Sequence, residues 1–137
     1  DRWKEPYMPA HELSDEIASG VQFQGFEEKG MLRGVMGVQE VKDVTLIRHS
    51  YVDPSAQRRG IGAALLANCC TLAEQPLLIG TWAAANWAIR FYEKHGFQRT
   101  SATDKNRLLS TYWTISERQI ETSVVLADAR WFKANKT

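Results

Sequence analysis

The chain has 137 residues, 24% of them charged and 44% hydrophobic, with a formal net charge of +1. That length suits one domain, 1–137, with a real core, and the near-neutral balance argues against nucleic-acid and membrane-surface binding. No apolar stretch approaches the roughly 20 residues that span a bilayer, and Asp1-Arg2-Trp3-Lys4-Glu5-Pro6 has no apolar signal core.

In chain order, residues 9–19 read as a short helix with Glu12, Asp15 and Glu16 outward and Leu13 and Ile17 inward. Val21–Glu28 alternates weakly as a strand, Lys29-Gly30 is a turn, and Met31–Val41 is a second strand. Gly34 and Gly37 interrupt that strand, which predicts a bulge or a close backbone approach. Asp43 turns the chain into a third strand, Val44–Val52, which Asp53-Pro54 ends. Residues 60–74 carry Ile61, Leu65, Leu66, Cys69, Leu72 and Ala73 at helical spacing, with a small, weakly polar opposite face that reads as covered.

Pro76 precedes a strand, Leu77–Trp82. Asn86 is a candidate N-cap for a helix over 87–95, with Gly96 as its C′ residue. A short strand over 97–100, partial helix over 104–119 and a final strand over 120–127 complete the order. Hairpins followed by crossovers predict an α/β chain with a mixed, mostly antiparallel central sheet and helices on both faces. The adjacent Cys69 and Cys70 offer neither metal spacing nor a disulfide framework, and two free thiols suit a reducing cytoplasm.

Chemistry concentrates at Gln57-Arg58-Arg59-Gly60-Ile61-Gly62, between a strand and a helix. The first N–H groups of a helix have no intrahelical acceptor, and its dipole favours negative charge there. Glycines let a large anion approach, and the arginines add charge, so the run is a candidate phosphate cradle. It is neither a Walker A loop nor a dinucleotide fingerprint, since no Gly-Lys-Ser/Thr and no third small position follow. A plain strand-to-helix turn with exposed arginines is the other reading.

A second segment follows one crossover later, with Asn86, then Tyr92, then Gly96-Phe97. Together the two segments resemble the GNAT superfamily of acyl-CoA-dependent N-acyltransferases. Gln57 to Gly62 matches the family's Gln/Arg-x-x-Gly-x-Gly/Ala turn. The resemblance covers about residues 9–127, and the tail from Asn106 to Leu126 resembles a bacterial-type subgroup of uncertain substrate. The family's first strand and helix precede the segment 9–19. They are absent from these residues, so either the fold is trimmed or, as is expected here, the native chain is longer.

The resemblance implies acetyl transfer from acetyl-CoA to an amine. It places the pantetheine arm between the splayed third and fourth strands, against backbone at Tyr51 and Val52. It places the diphosphate on Arg58 to Ala63, with Gln57 and Ile61 in the same turn. Asn86 either caps its helix or hydrogen-bonds the arm. Tyr92, with a phenol pKa near 10, suits proton donation to the departing thiolate. The base is open: His49 is the titrating group on the third strand, Glu40 and Asp43 are alternatives, and His11 and His95 have weaker claims.

Trp3, Tyr7, Met8, Trp82, Tyr112 and Trp113 either line an acceptor pocket or pack in the core. No metal is expected. The final strand is suited to pairing across a homodimer. The alternative to an enzyme is a non-catalytic acyl-CoA-binding regulatory module of the same fold.

Overall fold

Turn chemistry dictates the first hairpin. Strands β1 (Val21–Glu28) and β2 (Met31–Val41) pair antiparallel. They are joined by Lys29 and Gly30 at φ 54° and 77°. Two central residues at positive φ match the right-handed twist of the flanking strands, which is why a glycine sits there. The computed structural model describes residues 14–15, 17–53 and 60–135. The expected helix over 9–19 lies largely outside them, although residues 14, 15, 17 and 18 are helical. Ile17 is 56% exposed, so its expected inward orientation is corrected.

Strand β3 (Val44–Val52) follows β2 after two residues, a connection only an antiparallel pair can make. Helix α1 (Ile61–Leu72), β4 (Leu77–Trp82), α2 (Asn86–Lys94), β5 (Gln98–Arg99) and α3 (Ala102–Tyr112) come next. Then come α4 (Glu117–Glu121), β6 (Ser123–Ala127) and α5 (Ala129–Ala134). The six strands hydrogen-bond in the order β1-β2-β3-β4-β6-β5. Only β3–β4 is parallel; β4–β6 and β5–β6 are antiparallel, which bears out the mixed, mostly antiparallel sheet. Residues cluster into two compact units that divide β3 after Ile47.

In the first unit, both readings of the β2 glycines are realised. The β1–β2 register shifts between Phe26 and Glu27, which face Gly34 and Leu32 and leave Arg33 as the extra residue of a bulge. A Cβ at Gly37 would stand 2.9 Å from the Arg48 carbonyl oxygen and 2.9 Å from Val21 Cγ1. One at Gly34 would stand 3.1 Å from the Tyr51 carbonyl oxygen and 3.1 Å from Ile61 Cγ2. Ile61, Leu65, Leu66 and Cys69 bury one face of α1. Leu72 is 57% exposed, and Ala64, Ala67, Asn68 and Thr71 are exposed too. The expected cover on that opposite face is therefore corrected: periodicity marks an apolar stripe but does not supply what packs on it.

In the second unit, Val44, Leu46, Leu78, Leu108, Leu109, Val125, Ala127 and Trp131 form one core. The parallel ladder has two pairs, Thr45 with Leu77 and Leu46 with Leu78, whereas β4 pairs with β6 over five residues, Leu78 to Trp82. The neighbours expected from the sequence are thus parallel, and their ladder ends early.

The final strand is shorter than expected because Ser116 and Gln119 make a reciprocal capping box that starts α4 and carries residues 117–121 into helix. Asp128 caps α5, an element not expected from the sequence, whose Trp131 enters the core. β6 lies between β4 and β5, which removes the strand-pairing route to a dimer expected of it.

Gly37→Ala places a methyl group against backbone that cannot yield. The expected cost is about 1–3 kcal/mol, read as a lower urea midpoint at unchanged m-value.

Candidate functional site

The N-terminus of α1 belongs to the first unit. Gly60 takes φ 80°, and a Cβ there would meet nothing within 4 Å. Its carbonyl accepts the first helical hydrogen bond, from Ala64 N at 3.0 Å. The N–H groups of Ile61, Gly62 and Ala63 therefore have no acceptor inside the helix. No acidic side chain occupies the first turn, so the positive end of the helix keeps its field. Buried Ile61, seated where Gly34 has no side chain, pins this end against β2 and the Tyr51 carbonyl.

The strand leading into the turn is held at its last described residue. Asp53 N donates to the Arg33 carbonyl at 2.7 Å, and the Arg33 guanidinium donates to Asp53 Oδ2 at 3.4 Å. Glu28 lies 3.8 Å from the same guanidinium. Arg33 was not singled out in the sequence; an arginine near a strand-ending Asp-Pro carries no signal of a contact 20 positions away. Gln57, Arg58 and Arg59 lie outside the described residues. Tyr51 and Val52 are half-buried at the end of β3.

His49 is half-buried, its ring centroid 6.1 Å from that of Phe23. Its φ is 55°, so a non-glycine residue inside a strand is left-handed. Simple two-residue alternation therefore does not run through β3, and inside–outside counting cannot decide what His49 faces. Glu40 is exposed, and the Asp43 carboxylate accepts the Tyr112 hydroxyl proton in a short hydrogen bond. Burial and then Asp43 push the Tyr112 phenol up to about 12.

Helix α2 of the second unit carries Asn86 and Tyr92. Ala85 is its N-cap residue and no side chain caps it, so the capping reading of Asn86 is corrected. Asn86 occupies the first helical position and is exposed; its side chain hydrogen-bonds to none of the described residues. Tyr92 is buried, 6% exposed. The helix ends just beyond it in a Schellman turn: Gly96, at φ 94°, donates to Glu93 O at 3.2 Å, and Phe97 N donates to Tyr92 O at 3.1 Å. Gly96 thus fills the C′ role read from the sequence.

Among the other aromatics, Trp82 and Trp87 are 63% and 75% exposed. Tyr112 and Trp113 pack against the core, Trp113 within 3.2 Å of where a Gly80 Cβ would stand. Trp3, Tyr7, Met8 and His11 lie outside the described residues. Among the described residues no group of three or more His, Cys, Asp or Glu side chains could hold a metal ion, and no helix is long and apolar enough to cross a membrane.

A family model described as an acetyltransferase (GNAT) domain matches residues 1–111. The chain belongs to the GNAT acetyltransferase family. UPF0157 protein YqkA of Bacillus subtilis (strain 168) is 29% identical over 123 residues, covering 87% of this chain and 35% of its own length. The chain therefore spans about a third of that relative.

A GNAT family acetyltransferase from Elizabethkingia anophelis with acetyl-CoA bound is 25% identical at a TM-score of 0.65, over 88% of this chain and 83% of that one. The PaiA N-acetyltransferase of Thermoplasma acidophilum, in complex with coenzyme A, is 15% identical at a TM-score of 0.66, over 86% and 69%. At that identity the likeness is one of fold. The fold of this GNAT chain thus agrees with the resemblance read from its two motifs.

Because burial first and then Asp43 make the folded state hold the Tyr112 proton more tightly than the unfolded chain, stability is full below pH 10 and falls as pH rises from 10 to about 12. Tyr112→Phe should lessen the fall in stability across that window, as read by chemical denaturation at stepped pH.

Proposed function

We propose that this GNAT chain is an N-acetyltransferase that moves an acetyl group from acetyl-CoA to a primary amine of a small molecule, amino acid or peptide, by direct attack. The observation that carries the reading is the glycine-led N-terminus of α1. Gly60 is left-handed with open space at its Cβ position, the next three N–H groups lack helical acceptors, and no carboxylate sits in the first turn. Such an end suits a diphosphate. The acetyl-CoA bound to the Elizabethkingia relative and the coenzyme A bound to the Thermoplasma protein supply the chemical class.

In this reading the amides of Gly60 to Ala63, with Gln57, Arg58 and Arg59, hold the diphosphate. Backbone at Tyr51 and Val52 lies along the pantetheine arm, and Asn86, exempt from capping duty, hydrogen-bonds it. The amine nitrogen bonds to the acetyl carbon as the carbon–sulfur bond breaks. Tyr92 gives a proton, or a hydrogen bond, to the departing sulfur. A lysine-like amine, with pKa about 10.4, is almost wholly protonated at neutral pH, so His49 is assigned to take its proton. The half-buried, left-handed placement of His49 within β3 supports that assignment.

A reducing cytoplasm is the proposed compartment. Neither Cys69 nor Cys70 forms a disulfide, and burial followed by the neighbouring Cys70 pushes the Cys69 thiol up to about 11.

Acetyl-CoA at a hundredfold excess over Kd should stabilise the folded chain by about 2.7 kcal/mol, seen as a rise in Tm. No rise at millimolar acetyl-CoA refutes the donor. Tyr92→Phe should lower turnover roughly 10²-fold with acetyl-CoA affinity little changed, measured as free-thiol release over an amine panel. Equal loss of both would make Tyr92 a packing residue.

A further inference from the structure

The aromatic surroundings of Tyr92 are more specific than a helix end requires. Its ring meets Phe91 edge-on, with centroids 5.1 Å apart at 73°, and meets Phe97 edge-on at 5.9 Å and 68°. Phe91 is itself held: His95 Nδ1–H donates to the Phe91 carbonyl at 2.8 Å, and the two rings lie 4.7 Å apart. Phe97 is buried, 2% exposed, and its N–H binds the Tyr92 carbonyl. The same two residues are therefore joined twice, by main chain and by ring.

Gly96 makes this possible. Its φ of 94° suits glycine and turns the chain so that Phe97 folds back over the residue five places earlier. A Schellman turn needs only an apolar residue at this position. A second aromatic ring does more, because edge-to-face packing restricts the angle of the tyrosine ring as well as its depth.

We infer that Phe97, presented by the Gly96 turn, is a positioning residue that sets the direction of the Tyr92 phenol. This rests on the proposed role of Tyr92 as proton donor. A phenol hydroxyl lies at the far end of a long side chain, so a small ring rotation displaces it, and a misplacement of about 1 Å can cost roughly 10²-fold in rate. Phe91 and Phe97 both meet the ring edge-on; Phe97, at the chain's exit from the helix, depends on a single glycine to be there.

The test uses the whole chain labelled with 3-fluorotyrosine, which gives one fluorine signal for each of its four tyrosines, with Tyr92 assigned by its loss in Tyr92→Phe. Phe97→Leu should shift or broaden the Tyr92 signal. Thiol release from acetyl-CoA, with water or a panel amine as acceptor, should fall roughly tenfold or more at an acetyl-CoA KM within about twofold of the parent. In the Tyr92→Phe background the same change should cause no further fall.

An unchanged Tyr92 signal, or an equal loss in both backgrounds, overturns the inference. Full thiol release from Tyr92→Phe alone would instead overturn the proton-donor role, while the fluorine signal still reports whether Phe97 sets the ring. Should Phe97→Leu fail to fold, Phe97→Met keeps more of the buried volume and carries the same measurement.

Discussion

A missing side chain at position 34 is the constraint on which the first unit depends. Within about 3 Å of the point where a Cβ would stand lie the Tyr51 carbonyl and side-chain atoms of Ile61 and Leu65. Three separate elements, β2, β3 and α1, meet at that one point. Any larger residue would push the helix off the strand that feeds it. The direction of the amides at the helix start thus depends on a glycine more than twenty residues upstream. The second close approach, at Gly37, sets β2 against Arg48 of β3 and Val21 of β1 and leaves neither any slack.

The second unit solves a comparable problem with a different device. Tyr92 sits in the last turn of α2, where a helix ordinarily frays. The Schellman turn, the buried Phe97 and the flanking Phe91 convert that end into one of its more constrained places. Frayed ends hold their side chains loosely, and this one does not fray. The Gly-Phe pair that the family motif places after the tyrosine thus has a physical reading: one residue turns the chain and the other bears on the ring.

What could be read from the sequence follows a physical rule. Gly30, Gly34, Gly37, Gly60 and Gly96 sit at left-handed or crowded backbone positions, and such positions leave a mark because few other residues tolerate them. The turns at Gly60 and at Gly96 were legible for that reason. The left-handed His49 was not, since a histidine advertises no special φ.

Contacts far apart in sequence were silent too, as with Asp43 and Tyr112, or Arg33 and Asp53. Apolar periodicity overreached at Ile17 and Leu72, which are exposed. The Val- and Leu-rich run ending at Ala127 drew the last strand too far back, over residues that Ser116 and Gln119 commit to helix. At Asn86 a favoured capping residue stands one place too late to cap.

The unshared amides of Ile61, Gly62 and Ala63 have a consequence for observation. Protection from hydrogen exchange comes from a bound acceptor, and these three positions have none within their own helix, whereas later residues of α1 do. The helix therefore carries a built-in contrast along its length. An anion seated on its first turn would slow exchange there while leaving the already protected turns beyond almost unchanged. Occupancy could thus be followed at single amides in the unlabelled protein.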